Sequence, residues 1–221
     1  MFEQNSDSWF QAKCGLLTAS EFSEVMKKAR NKSDEFSASF RSLLYKKCTE
    51  AMTGQIKQIS AKPLDYGIEN EPGAILAYEF INEVEVDRVP IIIDKDNNLI
   101  GASPDGLIDK DGMIEVKTAF NPQKQIERFF DTKVPAEYLP QIQGNLMVNE
   151  REWCDFISYC PAIENENRII IRRVYRDDNY IAKLRSRTSY FTMTLEGALY
   201  ELGIQDYKRR KIDQLKGLGL L

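Results

Sequence analysis

"GASPDGLIDKDGMIEVK", residues 101–117, runs from a short apolar stretch into the pair Pro104-Asp105. It then crosses the turn-like Asp109-Lys110-Asp111-Gly112 and enters a second apolar stretch that carries Glu115-Val116-Lys117. Two such runs around a turn of this composition predict a β-hairpin. Side chains alternate along a strand, so Ile114 and Val116 point to one face while Glu115 and Lys117 share the other. Folding about the turn brings Asp105 opposite the Glu115 region. Asp105, Glu115 and the Val116 carbonyl can then offer three oxygens to one Mg²⁺ at ~2.1 Å, with water completing the shell. Lys117 lies beside that water, where it can orient it, help remove its proton or stabilise charge developing at phosphorus; the sequence leaves these roles open. Taken alone, the stretch also reads as an ordinary amphipathic strand after an ordinary turn, because short motifs often match by chance.

Composition narrows the chemistry. The chain has 221 residues and no histidine, which removes Ser-His and Cys-His nucleophilic catalysis, HNH-type nucleases and His-ligated zinc. Carboxylates, lysine, tyrosine and oxygen-bound hard cations remain. The four cysteines, Cys14, Cys48, Cys154 and Cys160, form no CxxC pair, so we expect reduced and partly buried thiols rather than a zinc ribbon or a disulfide framework. Net charge is −4, yet 30 Lys and Arg residues can still gather on one face or line a channel. The length fits a single domain spanning residues 1–221. No apolar run approaches the ~20 residues of a membrane span, and the start "MFEQNSDSWF" lacks the features of a secretory signal; a soluble, cytoplasmic protein without membrane contact is expected.

Periodicity along the chain predicts alternating helices and strands. "DSWFQAKCG" reads as a short helix ending at Gly15, and "TASEFSEVMKKA" as another in which Thr18 and Glu21 form a capping box, with Ser20 in the first turn. Helical spacing continues through "SASFRSLLYKKCTEAMTG" to Gly54 and through "YGIENEPGAILAYEFINE", where Pro72 must remove a backbone bond or restart the helix. "EVDRVPIIID", "NLIGAS" and "GMIEVKTA" predict an antiparallel meander. A helical "PAEYLPQIQGNLMVNE" then precedes strands in "EWCDFISYC" and "NRIIIRRVYR" and a long amphipathic helix from Asp177 to about Gly203. The expected class is α/β: a central mixed sheet flanked by helices.

Pro104-Asp105, a ten-residue step and Glu115-Val116-Lys117 have the form of the PD-(D/E)XK nuclease motif. With "DSWFQAKCGLLTASE", "YGIENE", "SPDG", "EVK" and "YLPQIQGNLMV" in that order over residues 7–161, the chain resembles the phage lambda exonuclease or YqaJ-type viral recombinase family. The resemblance implies a restriction-endonuclease-like core. The activity it implies is a Mg²⁺-dependent exonuclease, with two ions for which Mn²⁺ can substitute. Such an enzyme digests linear double-stranded DNA from 5′ ends and leaves 3′ single strands. It further implies a toroidal homotrimer, processive digestion, a phage single-strand-annealing protein as partner, and a phage or prophage origin in a bacterial cytoplasm.

Carried over by position, Asp105 and Glu115 resemble the family's metal ligands, with Val116 adding its carbonyl. Lys117 matches the catalytic lysine, Glu71 an upstream active-site carboxylate, and Gln141 a glutamine that bonds the scissile phosphate or the attacking water. Lys13, Ser20 and Ser103 correspond to a pocket for the terminal 5′-phosphate; lysine is a departure, since the best-known member has arginine there. Independently, Ser20 at a predicted helix N-terminus is suited to an anion. The basic run Tyr207 to Lys211 could follow a DNA backbone or contact another subunit, and Trp9 could stack on a base or lie in the core. Alternatives with the same core are an endonuclease or a Cas4-like nuclease; outside enzymes, the alternative is a silent DNA-binding or recombinase-docking module.

Overall fold

The computed structural model describes residue 4 and residues 6–31, 33–57 and 62–221. The helices are α1 (Asp7–Lys13), α2 (Phe22–Met26), α3 (Ala38–Thr53), α4 (Lys62–Asn82), α5 (Pro122–Phe130), α6 (Leu139–Asn149), α7 (Asp178–Glu201) and α8 (Tyr207–Gly217). The strands are β1 (Leu17–Thr18), β2 (Ile92–Ile93), β3 (Ile100–Ala102), β4 (Gly106–Ile108), β5 (Gly112–Thr118), β6 (Trp153–Tyr159) and β7 (Ile169–Tyr175). They form two sheets, ordered β1-β3-β2 and β4-β5-β6-β7. Each mixes directions: β1 runs parallel to β3 and β5 parallel to β6, while the other pairs are antiparallel. Parallel neighbours need a long crossover, and the segment carrying α5 and α6 supplies it between β5 and β6.

The expected α/β class with a mixed sheet flanked by helices is the observed one, with two local corrections. The predicted meander is divided: β3 pairs with β2 in the first sheet, whereas a separate strand, β4, pairs with β5 in the second. Pro104 stands at the break; lacking an N–H, it cannot extend the ladder from β3. The helix expected from Thr18 onward is also shorter. Leu17 N–H donates to the Leu99 carbonyl, so Leu17 and Thr18 become strand, a 3₁₀ turn follows at Ala19–Glu21, and α2 ends at Met26. Of the two outcomes open at Pro72, α4 takes the first and continues through it without restarting. The missed helix α5 carried a local signal: Asn121 caps it by accepting from Gln123 N–H, and Pro122 follows at its first position.

Burial explains how the layers meet. Ile114 and Val116 of β5 pack with Ile157 and Tyr159 of β6 against Ala74, Ile75 and Tyr78 of α4. The opposite side of that sheet places Met113, Cys154 and Phe156 against Ile142 and Leu146 of α6. Period-2 alternation therefore turns Glu115 toward α6 rather than toward water. The first sheet lies against α2, α3 and α7 through Phe22, Phe40, Leu44, Ile100, Phe191 and Leu195. Gly144 lets α6 approach this layer closely: a Cβ there would sit 2.3 Å from Phe22 Cδ2. All four cysteines are buried and free. Among the described residues no helix is long and apolar enough to cross a membrane.

Candidate active site

A cavity of about 400 Å³ opens where the β4–β5 hairpin, α4, α6 and the β1 region converge. Lys13, Ser20, Glu71, Ser103, Asp105, Glu115, Val116, Lys117 and Gln141 all line it. The candidate catalytic, metal and 5′-phosphate residues are thus brought to one cavity, although they come from segments far apart in the chain.

The hairpin register sets its acidic end. Gly106 pairs with Ile114, which places the preceding Asp105 beside Glu115, and Asp105 Oδ2 accepts the Val116 N–H at 2.6 Å. Glu115 is 1% exposed. Its Oε1 accepts from Lys117 Nζ at 2.5 Å and from Gln141 Nε2 at 2.6 Å, and its Oε2 from Asn145 Nδ2 at 3.0 Å. Gln141 therefore bonds a carboxylate in this structure. Glu71 reaches the cavity from α4 and is held by Arg88 Nη2 at 2.7 Å.

Burial pushes the Glu115 carboxyl up to about 7, with the charges of Asp105 and Glu71 adding to the effect and Lys117 opposing it. Glu71 is likewise raised to about 7, first by burial and then by Asp105. Asp105 is raised by burial against the pull of Lys117 and of its bond from Val116. For Lys117, burial acts downward but is outweighed by the Glu115 and Asp105 carboxylates, which raise it. Carboxylates crowded so closely destabilise one another's ionised forms, and a hard divalent cation relieves that repulsion through the oxygen ligands it prefers. Asp105, Glu115 and Glu71 supply oxygen donors, the type that Mg²⁺ and Mn²⁺ take. Among the described residues no three Cys, Asp or Glu side chains stand as a ready-made cage, and Lys117 and Arg88 engage two of the carboxylates directly.

At the other end of the cavity, Trp9 organises the polar groups. Its indole is 6% exposed, donates to the Pro90 carbonyl and to Ser103 Oγ, both at 3.3 Å, and carries Lys13 Nζ 4.1 Å from its ring centroid. Trp9 is a core residue that supports Lys13. Burial lowers the Lys13 ammonium to about 8, against the attraction of Glu21. Ser20 is exposed in the 3₁₀ turn and contacts Thr18 Oγ1 at 3.2 Å, while Glu21 accepts the Thr18 N–H as the capping spacing predicts. The helix-dipole argument for Ser20 does not hold, since α2 has only five residues and begins after it; positive charge at this end comes from Lys13. The basic run of α8 lies elsewhere: Lys211 is buried, donating to the Gln11 carbonyl and Gln214, and Tyr207 bonds the Gly15 carbonyl.

The residue that sequence reading missed is Asn145. Its signal was present, since it follows Gln141 by four residues and so shares its helix face.

Residues 8–152 match the YqaJ-like viral recombinase domain. The chain belongs to this family. An alkaline exonuclease of Laribacter hongkongensis, LHK-Exo, is 31% identical in sequence and has a TM-score of 0.81; the match covers 95% of this chain and 100% of that one. The structure of LHK-Exo in complex with dAMP gives 31% identity over the same shares and a TM-score of 0.82. A phage related exonuclease from Haemophilus somnus shares the fold at 15% identity, with a TM-score of 0.68 over 85% of this chain and 96% of that one. An uncharacterized protein of Acanthamoeba polyphaga mimivirus is 26% identical over an alignment of 168 residues; the match covers 71% of this chain but 29% of that protein. The family match extends over the blocks from Trp9 to Val148 that carried the resemblance in sequence.

Proposed function

We propose that this chain is a divalent-metal-dependent deoxyribonuclease of the PD-(D/E)XK type, a 5′-to-3′ exonuclease on linear double-stranded DNA that leaves 3′ single strands. The observation that carries the reading is that one cavity joins the Asp105–Glu115–Lys117 cluster to the Lys13–Ser20–Ser103 set. The likeness to LHK-Exo, described as an alkaline exonuclease and seen with dAMP, supports nuclease activity on DNA.

Asp105, Glu115 and the Val116 carbonyl would hold Mg²⁺, with Glu71 near a second ion; Mn²⁺ can substitute. Bound there, the ions stabilise the attacking and leaving oxygens of an in-line hydrolysis. Lys117 presents an ammonium to the attacking water and the phosphate. Gln141 and Asn145 keep Glu115 in place. Lys13, Ser20 and Ser103 receive the terminal 5′-phosphate, with the Trp9 ring beneath the ammonium. Family membership favours a toroidal homotrimer working with a phage single-strand-annealing protein in a bacterial cytoplasm. Enclosure gives an acidic chain a means of staying on DNA where net attraction is weak; a one-chain mass by light scattering would contradict the ring.

The 5′-end assignment is tested by four rates. Wild type is expected to degrade 5′-phosphorylated duplexes faster than 5′-hydroxyl duplexes, and Lys13→Ala to slow only the phosphorylated substrate, by about 10-fold, as loss of ~1.4 kcal/mol of charge-assisted binding gives. Lysine lacks arginine's bidentate fork, so Lys13→Arg should retain or increase the preference. Equal wild-type rates on both ends would refute the pocket.

A further inference from the structure

Helix α6 approaches the acidic end of the cavity with two carboxamides, Gln141 and Asn145, separated by four residues and therefore on one face. Gln141 Nε2 donates to Glu115 Oε1 at 2.6 Å, and Asn145 Nδ2 donates to Glu115 Oε2 at 3.0 Å. We propose that Asn145 is a positioning residue: with Gln141 it holds both oxygens of the Glu115 carboxylate and fixes the direction in which that carboxylate meets a divalent cation. The inference rests on reading Glu115 as a metal ligand.

Three features single out Asn145. It is 0% exposed although it borders the cavity, so its amide has been taken from water to make few contacts. Its Oδ1, also buried, has no hydrogen-bond partner among the described residues. A side chain needed here only to fill space would be apolar, because a buried acceptor left unbonded is unfavourable. The bond from Nδ2 to Glu115 is what the amide gains. Its orientation is also set by that carboxylate: turned over, the amide would set Oδ1 against Oε2, acceptor against acceptor.

A neutral donor is the chemically appropriate choice. A second ammonium would neutralise Glu115 and compete with a cation, whereas an amide N–H orients the carboxylate and leaves its charge in place. Lys117 already bonds Oε1, so the amides are the uncharged part of the clamp. Carboxylate ligands to metals are commonly held by such outer partners, and removing one typically costs about 10–100-fold in metal affinity.

The test is calorimetric titration of Mn²⁺ into the DNA-free protein, for wild type, Asn145→Ala and Asn145→Leu, with thermal melting of each. Leucine keeps the branched heavy-atom skeleton of asparagine without its hydrogen-bonding groups, and gives a second variant if alanine does not fold. The expected result is saturable wild-type binding, binding weaker by about 10–100-fold in the folded variants, and DNA cleavage by those variants that recovers as Mn²⁺ is raised. A merely structural residue would not give recovery by cation. If a folded variant binds Mn²⁺ as tightly as wild type, or if its lost cleavage resists excess Mn²⁺, the clamp is wrong while Glu115 can remain a ligand. If wild type itself takes up no Mn²⁺, the metal-ligand reading fails and this inference with it.

Discussion

Lys117→Ala is expected to reduce cleavage of a linear duplex by about 10²–10⁴-fold, the range over which a positioned proton-transfer group acts, while leaving the fold intact. The side chain stands at the exit of β5, and 26% of it is exposed, so its removal opens no core cavity. Its ammonium is the only positive group that bonds Glu115 among the described contacts. Both Glu115 oxygens keep an amide donor, Gln141 or Asn145, in the variant, and the carboxylate stays in place. DNA binding in Ca²⁺ should be close to wild type, because the larger ion supports binding without the geometry that turnover needs. Single-turnover rates together with circular dichroism check this. A Lys117→Ala protein that cleaves at the wild-type rate would remove lysine from the reaction.

The largest effect on stability is expected from Phe191→Ala, a loss of about 3–5 kcal/mol. Phe191 is 0% exposed and meets Phe40 of α3 edge-on at a centroid distance of 5.0 Å. It belongs to the layer in which α7, α3 and α2 cover the first sheet, so truncation leaves a void bounded by several elements that cannot all close upon it. Urea unfolding followed by far-ultraviolet dichroism gives the value. Phe191 does not line the cavity, and the folded fraction should cleave normally. A loss below about 1 kcal/mol would mean that this layer repacks readily, at odds with the close-packed interior described.

How much of this was legible in the sequence depends on the range of the forces involved. The Asp105–Glu115 approach could be read because a two-residue period and a local turn determine it, and the register of Gly106 against Ile114 agrees. The capping bond from Thr18 N–H to Glu21 was equally local. The strand at Leu17 was not legible, since the Leu99 carbonyl that accepts its N–H lies far along the chain; pairing at a distance overrode a local helix signal. The division of the predicted meander follows from Pro104, a residue read only as part of a motif. Family blocks indicated Gln141 but gave no sign that its amide would meet Glu115, 26 residues away. Asn145 was overlooked for the same reason, because the spacing marks a shared helix face but not what that face will contact.

We propose above that these residues cut DNA from an end. The most direct measurement incubates the protein with a 5′-phosphorylated linear duplex and a covalently closed circular duplex of the same sequence, with Mg²⁺ and with chelator, and follows both strands separately. With Mg²⁺ the linear molecule is expected to lose its strands progressively from their 5′ ends while the circle survives, and chelator is expected to stop the reaction. Cutting of the circle at a comparable rate, or binding of the linear duplex without any loss of nucleotides, would contradict it.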